Sequence, residues 1–122
     1  MGYGQVNVGS SKQKILGVAE KFITKSRTYT EVVENQGNGI KYLITAGAYV
    51  WGDANGNVYI EGSNDNSTWT EIDKIQAYSN TTAIKVNTNN NYKYYRLSGN
   101  VVRTPSEQYG NQMTAGGSIY TL

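Results

Sequence analysis

The stretch Gly56-Asn-Val-Tyr-Ile-Glu-Gly-Ser-Asn-Asp-Asn-Ser-Thr-Trp-Thr-Glu-Ile-Asp-Lys74 decides the fold, because it has the pattern of a strand, a turn and a second strand. Val58 and Ile60 alternate with Tyr59 and Glu61 at the two-residue period of a strand. The polar residues that follow have side chains that hydrogen-bond their own backbone, which favours a turn. The alternation then resumes as far as the lysine. We predict a β-hairpin over this stretch.

A small set of side chains is predicted to form the core around this hairpin. Trp69 is the one large apolar side chain available to plug it. A second alternating stretch, Tyr92 to Gly99, places Tyr95 and Leu97 on one face and two polar-tipped side chains on the other. The predicted core residues are Val58, Ile60, Trp69, Tyr95 and Leu97.

The rest of the chain carries similar signals. Ile40 to Thr45 is largely apolar on both faces, which favours a strand that lies between two neighbours. Asn55-Gly56 is the strongest hairpin signal and predicts that Tyr49–Trp51 pairs with Val58–Ile60. Residues 12–25 fit either a helix or a strand. About eight short strands with turns between them predict an all-β fold, an antiparallel jelly roll or β-sandwich.

The length of 122 residues fits one domain. Residues 1–11 are polar and rich in glycine, and we predict that they form an extended amino-terminal arm. A short strand near Val6 in this arm would have an unprotected edge, which favours pairing with a second copy of the chain. Residues 12–122 are predicted to form a single domain of the jelly-roll type.

The composition argues against catalysis. The chain has no cysteine and no histidine, so it lacks disulfides, the commonest zinc ligands and the commonest general base. Glu61 and Asp65 are the nearest plausible carboxylate pair, but they flank a turn, whereas a catalytic pair must face a substrate from two sides. We therefore predict a protein that is not an enzyme and that has no cofactor and no metal site.

The sequence also limits the kinds of partner that we expect for this chain. A formal net charge of +2 is only mildly basic, so we do not expect contact with nucleic acid, which needs basic residues gathered on one face. There is no apolar run long enough to span a bilayer, so we expect no membrane contact. The first residues lack the basic and apolar regions of a signal peptide, and we expect synthesis in a host cytoplasm without export.

Two segments carry a resemblance to a known family. Val58-Tyr-Ile-Glu-Gly-Ser-Asn-Asp-Asn-Ser-Thr-Trp69 resembles the strand and Ser-x-Asp-Gly-x-x-Trp turn of discoidin-type (coagulation factor 5/8 C-like) and galactose-binding-like jelly rolls. Tyr92-Lys-Tyr-Tyr-Arg-Leu97 resembles the Arg-Tyr-x-Arg-Leu strand of that family, with Lys93 in place of the first Arg. Asn66 replaces the usual turn Gly, and the terminal cysteines of the family are absent. Variants of this motif are also frequent in structural proteins of tailed-phage particles.

The resemblance implies a jelly-roll fold and carbohydrate recognition. Proteins bind sugars by stacking them on exposed aromatic rings beside amide and carboxylate groups that hydrogen-bond the hydroxyls. The residues that could make such contacts with a glycan or a partner are Trp51, Asn64, Asp65, Tyr78, Asn89, Asn90 and Tyr109.

Two functions remain open from the sequence. We predict a non-enzymatic structural protein of a virion, a capsid- or tail-associated accessory or decoration protein that works as a homo-oligomer in contact with capsid or tail proteins. Eleven tyrosines favour this function, because tyrosine gives contact area at low entropic cost. The alternative is a carbohydrate-binding module of the discoidin type that adheres to a host surface.

Overall fold

The structure is a computed structural model that describes residues 13–48, 54–78, 81–103 and 113–122. These residues form eleven strands and no helix. The strands are β1 (Lys14–Val18), β2 (Thr28–Tyr29), β3 (Val33–Glu34), β4 (Ile40–Ala48), β5 (Ala54–Asn55), β6 (Asn57–Ser63), β7 (Thr70–Gln76), β8 (Thr82–Asn89), β9 (Tyr94–Gly99), β10 (Val102–Arg103) and β11 (Met113–Thr121). The prediction of an all-β fold is confirmed, and the ambiguous stretch 12–25 contains β1 and, in its described residues, no helix. The predicted arm lies outside the described residues.

The strands form an antiparallel sandwich. The front sheet has the order β1-β11-β4-β8. In the back sheet, β9 pairs with β2 and β3 on one side and with β6 on the other, and β7 completes the sheet. A separate pair joins β5 to β10. The stretch Ile40 to Thr45 lies in β4, between β11 and β8, as its apolar faces predicted.

The core lies between the two sheets, where alternate residues of each strand point inward. The front sheet contributes Ile40, Tyr42 and Ile44 from β4 and Ile119 from β11, all at most 1% exposed. The back sheet contributes four of the predicted core residues, which are all fully buried: Val58, Ile60, Tyr95 and Leu97. Those four predictions are confirmed.

Trp69 is not part of this core, so the prediction that it plugs the hairpin is wrong. The side chain is only half-buried, and its ring lies against the guanidinium of Arg96 at 4.1 Å. The space on the inner face of the hairpin is already filled. A Cβ added to Gly62 would lie 2.4 Å from the ring of Tyr92 and 2.9 Å from Ile72.

The hairpin itself is confirmed, because β6 and β7 pair antiparallel around the polar turn. Asn66 supplies the left-handed conformation of that turn with a φ of 58°, at the position where the resembled family has glycine. The predicted pairing of Val58–Ile60 with Tyr49–Trp51 is wrong. β6 already has β7 on one side and β9 on the other, so neither of its edges is free for a third strand. Residues 49–53 lie outside the described residues.

Candidate functional site

Four of the predicted contact residues lie at one end of the sandwich, in and beside the loops that follow β6 and β8. Asn64 Oδ1 accepts a 3.0 Å hydrogen bond from the backbone N–H of Lys93. Asn90 Oδ1 accepts a 2.7 Å bond from Asn35 Nδ2, and the Asn35 backbone N–H donates to the carbonyl of Lys93. These shared partners tie the loops to one another.

Asp65 shapes the loop that carries it. Its Oδ1 accepts hydrogen bonds from the backbone N–H groups of Thr68 (2.7 Å) and Ser67 (2.9 Å) and from the hydroxyl of Ser63 (2.9 Å). These bonds, led by those from the two backbone groups, lower the pKa of Asp65 to about 2. The carboxylate therefore holds the turn, and one of its two oxygens is already occupied.

Asn89 is likewise committed to the fold. Its Oδ1 accepts a 2.6 Å bond from the hydroxyl of Tyr95 and a 2.9 Å bond from the backbone N–H of Asn91. Burial raises the pKa of Tyr95, so this phenol stays protonated and continues to donate. The amide oxygen of Asn89 thus satisfies a core tyrosine.

Of the three predicted aromatic contacts, the structure describes Tyr78, and this residue does not join the cluster. Tyr78 is 52% exposed but lies at the opposite end of the sandwich, beyond the end of β7, where its carbonyl accepts a bond from the Ala48 N–H. Trp51 and Tyr109 lie outside the described residues.

The aromatic residue that the structure places beside the cluster is Tyr92, which was not among the predicted contact residues. It lines a shallow depression of about 280 Å³ together with Ser63, Asn64, Asp65, Thr68 and Thr70. The ring is half-buried and meets the ring of Tyr95 edge to face, with the centroids 6.1 Å apart. The sequence did contain a signal for Tyr92, because this residue is the first of the family-like segment that ends at Leu97.

A second cluster covers the outer face of the back sheet around Glu61. This side chain is only 4% exposed although it points away from the core. Its Oε1 accepts a 2.7 Å bond from Arg96 Nε, and its Oε2 accepts bonds from Arg27 Nη2 (2.6 Å) and from the hydroxyl of Ser98. Both oxygens of the carboxylate are therefore satisfied by neighbouring side chains.

Aromatic rings cover the two arginines. The guanidinium of Arg27 lies 3.6 Å from the ring centroid of Tyr59, and that of Arg96 lies 4.1 Å from the rings of both Tyr29 and Trp69. Such contacts attract the cation to the face of the ring. Arg96 is thus both a cation–π partner and a carboxylate partner.

The electrostatic balance at Glu61 favours the ionised form. Burial by itself would raise the pKa of this carboxyl, but the hydrogen bonds from Ser98, Arg96 and Arg27 together hold the pKa below its ordinary value. The group is thus charged, paired and enclosed at neutral pH. We infer that this cluster stabilises the back sheet and does not bind a ligand.

The outer face of the front sheet carries a group of exposed apolar side chains. Ile84 is 62% exposed and Val86 is 48% exposed, both on β8. Beside them a depression of about 300 Å³ is lined by Lys41, Leu43, Val86 and Tyr120. We call Leu43, Ile84, Val86 and Tyr120 the front patch.

Strand register assembles the front patch from three strands. Leu43 of β4 lies opposite Val86 of β8, and Lys41 lies opposite Tyr120 of β11. Because side chains alternate across a strand, the neighbouring residues Tyr42 and Ile44 of β4 point into the core. An exposed group of apolar side chains that neighbouring strands hold together is the usual sign of a protein contact.

Two kinds of site are absent from the part of the chain that the structure describes. Residues 13–48, 54–78, 81–103 and 113–122 contain no group of three or more acidic side chains placed to hold a metal ion. In the same residues there is no helix with the length and apolarity to span a bilayer.

A family model described as the N-terminal domain of the uncharacterised protein YqxG matches residues 12–103. The chain belongs to this family. The matched residues of the YqxG N-terminal domain include every described strand except β11, which completes the front sheet between β1 and β4. The comparison with curated proteins gave no match, and neither did the comparison with solved structures.

Proposed function

We propose that this domain is a non-enzymatic structural module of a virion, which works as a homo-oligomer and makes its contacts through the front patch. The observation that supports this proposal is the exposure of Ile84 and Val86 beside the half-buried Leu43 and Tyr120. Full burial of a valine or isoleucine stabilises by about 1.5 to 3 kcal/mol. These two side chains have roughly half of that still to gain by association.

The virion part of the proposal rests on the sequence. The segments Val58–Trp69 and Tyr92–Leu97 resemble discoidin-type jelly rolls, whose variants are frequent in tailed-phage particles. In the structure these segments supply β6, the turn that follows it, and β9, and the two strands β6 and β9 form the middle of the back sheet. The front sheet is then left to make contacts with capsid or tail proteins and with copies of the chain.

Light scattering after size-exclusion chromatography tests the oligomer. We expect the wild type to be oligomeric, and we expect the double variant Ile84→Thr/Val86→Thr to be shifted toward monomer. Threonine keeps the β-branched shape but removes the apolar contact. Val32→Thr is the matched control, because Val32 is also exposed (38%) but lies outside the front patch. A wild type that stays monomeric up to about millimolar concentration would contradict the proposal.

Electron microscopy tests the location. An antibody against the chain should label purified particles on the head or on the tail. Particles that carry no label, from cells that express the chain, would remove the virion part of the proposal and leave the oligomer to be judged by light scattering.

The depression beside Tyr92 favours a second candidate function, glycan recognition. It combines one aromatic ring with the amide of Asn64 and the hydroxyls of Thr68 and Thr70. A glycan array should then show binding that Tyr92→Leu abolishes and that Tyr78→Leu, at the opposite end of the sandwich, leaves intact. An array without signal would rule out this candidate.

A further inference from the structure

The sheet edges of the described residues differ in how they are protected against pairing with another chain. An exposed edge is a template for a further strand, and proteins commonly block it with short strands, bulges or charges. On the back sheet, β2 and β3 have two residues each. β7 carries a bulge in its pairing with β6 and exposes Glu71 and Lys74. β1 of the front sheet also carries a bulge, and it exposes Lys14.

The remaining edge, β8, has none of these features along most of its length. Its eight residues pair with β4 in an unbroken register from Gly47 opposite Thr82 to Ile40 opposite Asn89. Its side chains are exposed along most of the strand, and Lys85, its one charged residue, forms an ion pair with Asp73 of β7. The edge therefore carries a single charge, which is paired with the back sheet.

Two hydrogen bonds show which backbone groups of β8 face away from β4. The N–H of Ala48 donates to the carbonyl of Tyr78 at 3.0 Å, on the β8 side of β4. Because backbone groups alternate between the two sides of a strand, the even-numbered residues of β4 face β8. Their partners in β8 are odd-numbered, such as Ala83 and Lys85.

The even-numbered residues of β8 consequently point their N–H and C=O groups outward. Thr88 agrees with this assignment, because its N–H donates to Asn87 Oδ1 at 2.9 Å and not to β4. Among the described residues no strand pairs with this side of β8, so its free edge there is formed by the backbone of Thr82, Ile84 and Val86. Two of these residues also carry the most exposed side chains of the front patch.

We propose that a second copy of this chain pairs with the free edge of β8, antiparallel and about a twofold axis, so that the two front sheets become one. A strand that pairs with itself about a twofold axis is antiparallel by symmetry, which matches the free groups of β8. This inference rests on the proposed homo-oligomer and names its interface. It also joins the two front patches into one apolar surface across the axis.

The side chains select the register. Pairing Ile84 with the partner's Val86 would place Lys85 opposite the partner's Lys85, and like charges directly opposite are destabilising. Centring the pair on Val86 would require the N–H of Thr88, which already donates to Asn87.

Centring the pair on Ile84 avoids both problems. Val86 then lies opposite the partner's Thr82, and Lys85 lies opposite the partner's Ala83. The three outward residues of each strand form about six hydrogen bonds across the axis. The twofold axis passes midway between Ile84 and the partner's Ile84.

Cysteine crosslinking tests this register in a chain that has no cysteine of its own. Ile84→Cys places two sulfurs across the axis, with Cα atoms about 5.5 Å apart, which is a distance that a disulfide spans. Val86→Cys is the matched control, because it is also exposed but lies four residues, about 13 Å, from the partner's position 86. Under mild oxidation we expect a covalent dimer from Ile84→Cys at a yield at least tenfold above that of Val86→Cys.

Light scattering on the same samples separates this inference from the proposed function. An oligomeric wild type in which Ile84→Cys crosslinks no better than Val86→Cys would overturn the pairing at β8 and leave the homo-oligomer standing. A monomeric wild type without crosslinks would overturn both. Stronger crosslinking of Val86→Cys than of Ile84→Cys would also contradict the proposed register.

Discussion

The back sheet covers its outer face with arginine and aromatic side chains, whereas the front sheet leaves Ile84 and Val86 exposed on the corresponding face. On the back sheet, Glu61 is 4% exposed and every hydrogen bond described for its carboxylate comes from a side chain of the same molecule. On the front sheet, the exposed side chains are apolar and the strand that carries them is an edge.

The difference indicates which face is complete in a single copy. A carboxylate held by two guanidinium groups and a hydroxyl gains little from a partner, because three of its roughly four acceptor sites are already used. An apolar patch beside free backbone groups gains from a partner in two ways, by loss of water-exposed area and by new hydrogen bonds. Stability should therefore depend on the back face, and association should depend on the front face.

The largest expected effect is on the back face. Glu61→Ala leaves Arg27 and Arg96 without their common acceptor, and removing one member of a buried ion pair costs about 3 kcal/mol of unfolding free energy. Urea denaturation followed by circular dichroism measures this change. Glu71→Ala is the control, since Glu71 lies opposite Glu61 on β7 but is exposed, and it should cost no more than about 0.5 kcal/mol. Equal losses of unfolding free energy in the two variants would contradict the conclusion that the charge of Glu61 is enclosed and paired.

Acid should weaken the back face in the wild type by less than the alanine substitution does. The pKa of Glu61 is lower in the folded protein than its ordinary value of 4.5, so ionisation stabilises the fold above that pH and the stabilisation is lost as the pH falls through the folded value. The urea concentration at the unfolding midpoint should therefore decrease as the pH is lowered beneath about 4.5. In Glu61→Gln the fall should be smaller, with a remainder from Asp65 and Asp73, whose pKa values are also lowered. If the urea midpoint of Glu61→Gln depended on pH in the same way as that of the wild type, the assignment of this pH dependence to Glu61 would be wrong.

Trp69→Ala should have a smaller effect than truncation of a core residue. The ring is half-buried against Arg96, and a cation–π contact with partial burial is worth about 1 to 2 kcal/mol. Leu97→Ala, which empties a fully buried position, should cost about 2 to 5 kcal/mol. Denaturation of the two variants side by side measures both. If Trp69→Ala lost more unfolding free energy than Leu97→Ala, the indole would have to be counted as a core side chain.

Local pattern was enough to predict the β6–β7 hairpin and four core residues in β6 and β9, because alternation and turn residues act within a few positions. It could not predict the burial of Glu61. The arginines that enclose this carboxylate lie 34 and 35 residues away in sequence, and only the pairing of β6 with β9 brings Arg96 opposite it. The indole of Trp69 was misplaced for the same reason, since Tyr92 arrives from a distant loop to fill the space.

The candidate surfaces were predictable only in part. The asparagines of the two loops were named from the sequence, but their oxygens are used by distant partners such as Lys93, Tyr95 and Asn35. Ile84 and Val86 fit the pattern of core residues, because β-branched side chains on alternate positions are typical of a buried strand face. Their exposure follows from the position of β8 at the edge of the front sheet, which depends on the whole topology.

The smallest effect on stability, and the largest on association, is expected at the front patch. Ile84→Thr/Val86→Thr should change the unfolding free energy of the dilute protein by no more than about 0.5 kcal/mol, because exposed side chains lose little on substitution. A partner that binds only the folded chain raises the melting temperature by mass action, so the Tm of the wild type should rise with protein concentration while that of the double variant stays constant. Calorimetry over a hundredfold range of concentration measures both. If the wild type also melts at one temperature throughout, the front patch is not the face through which copies of this chain associate.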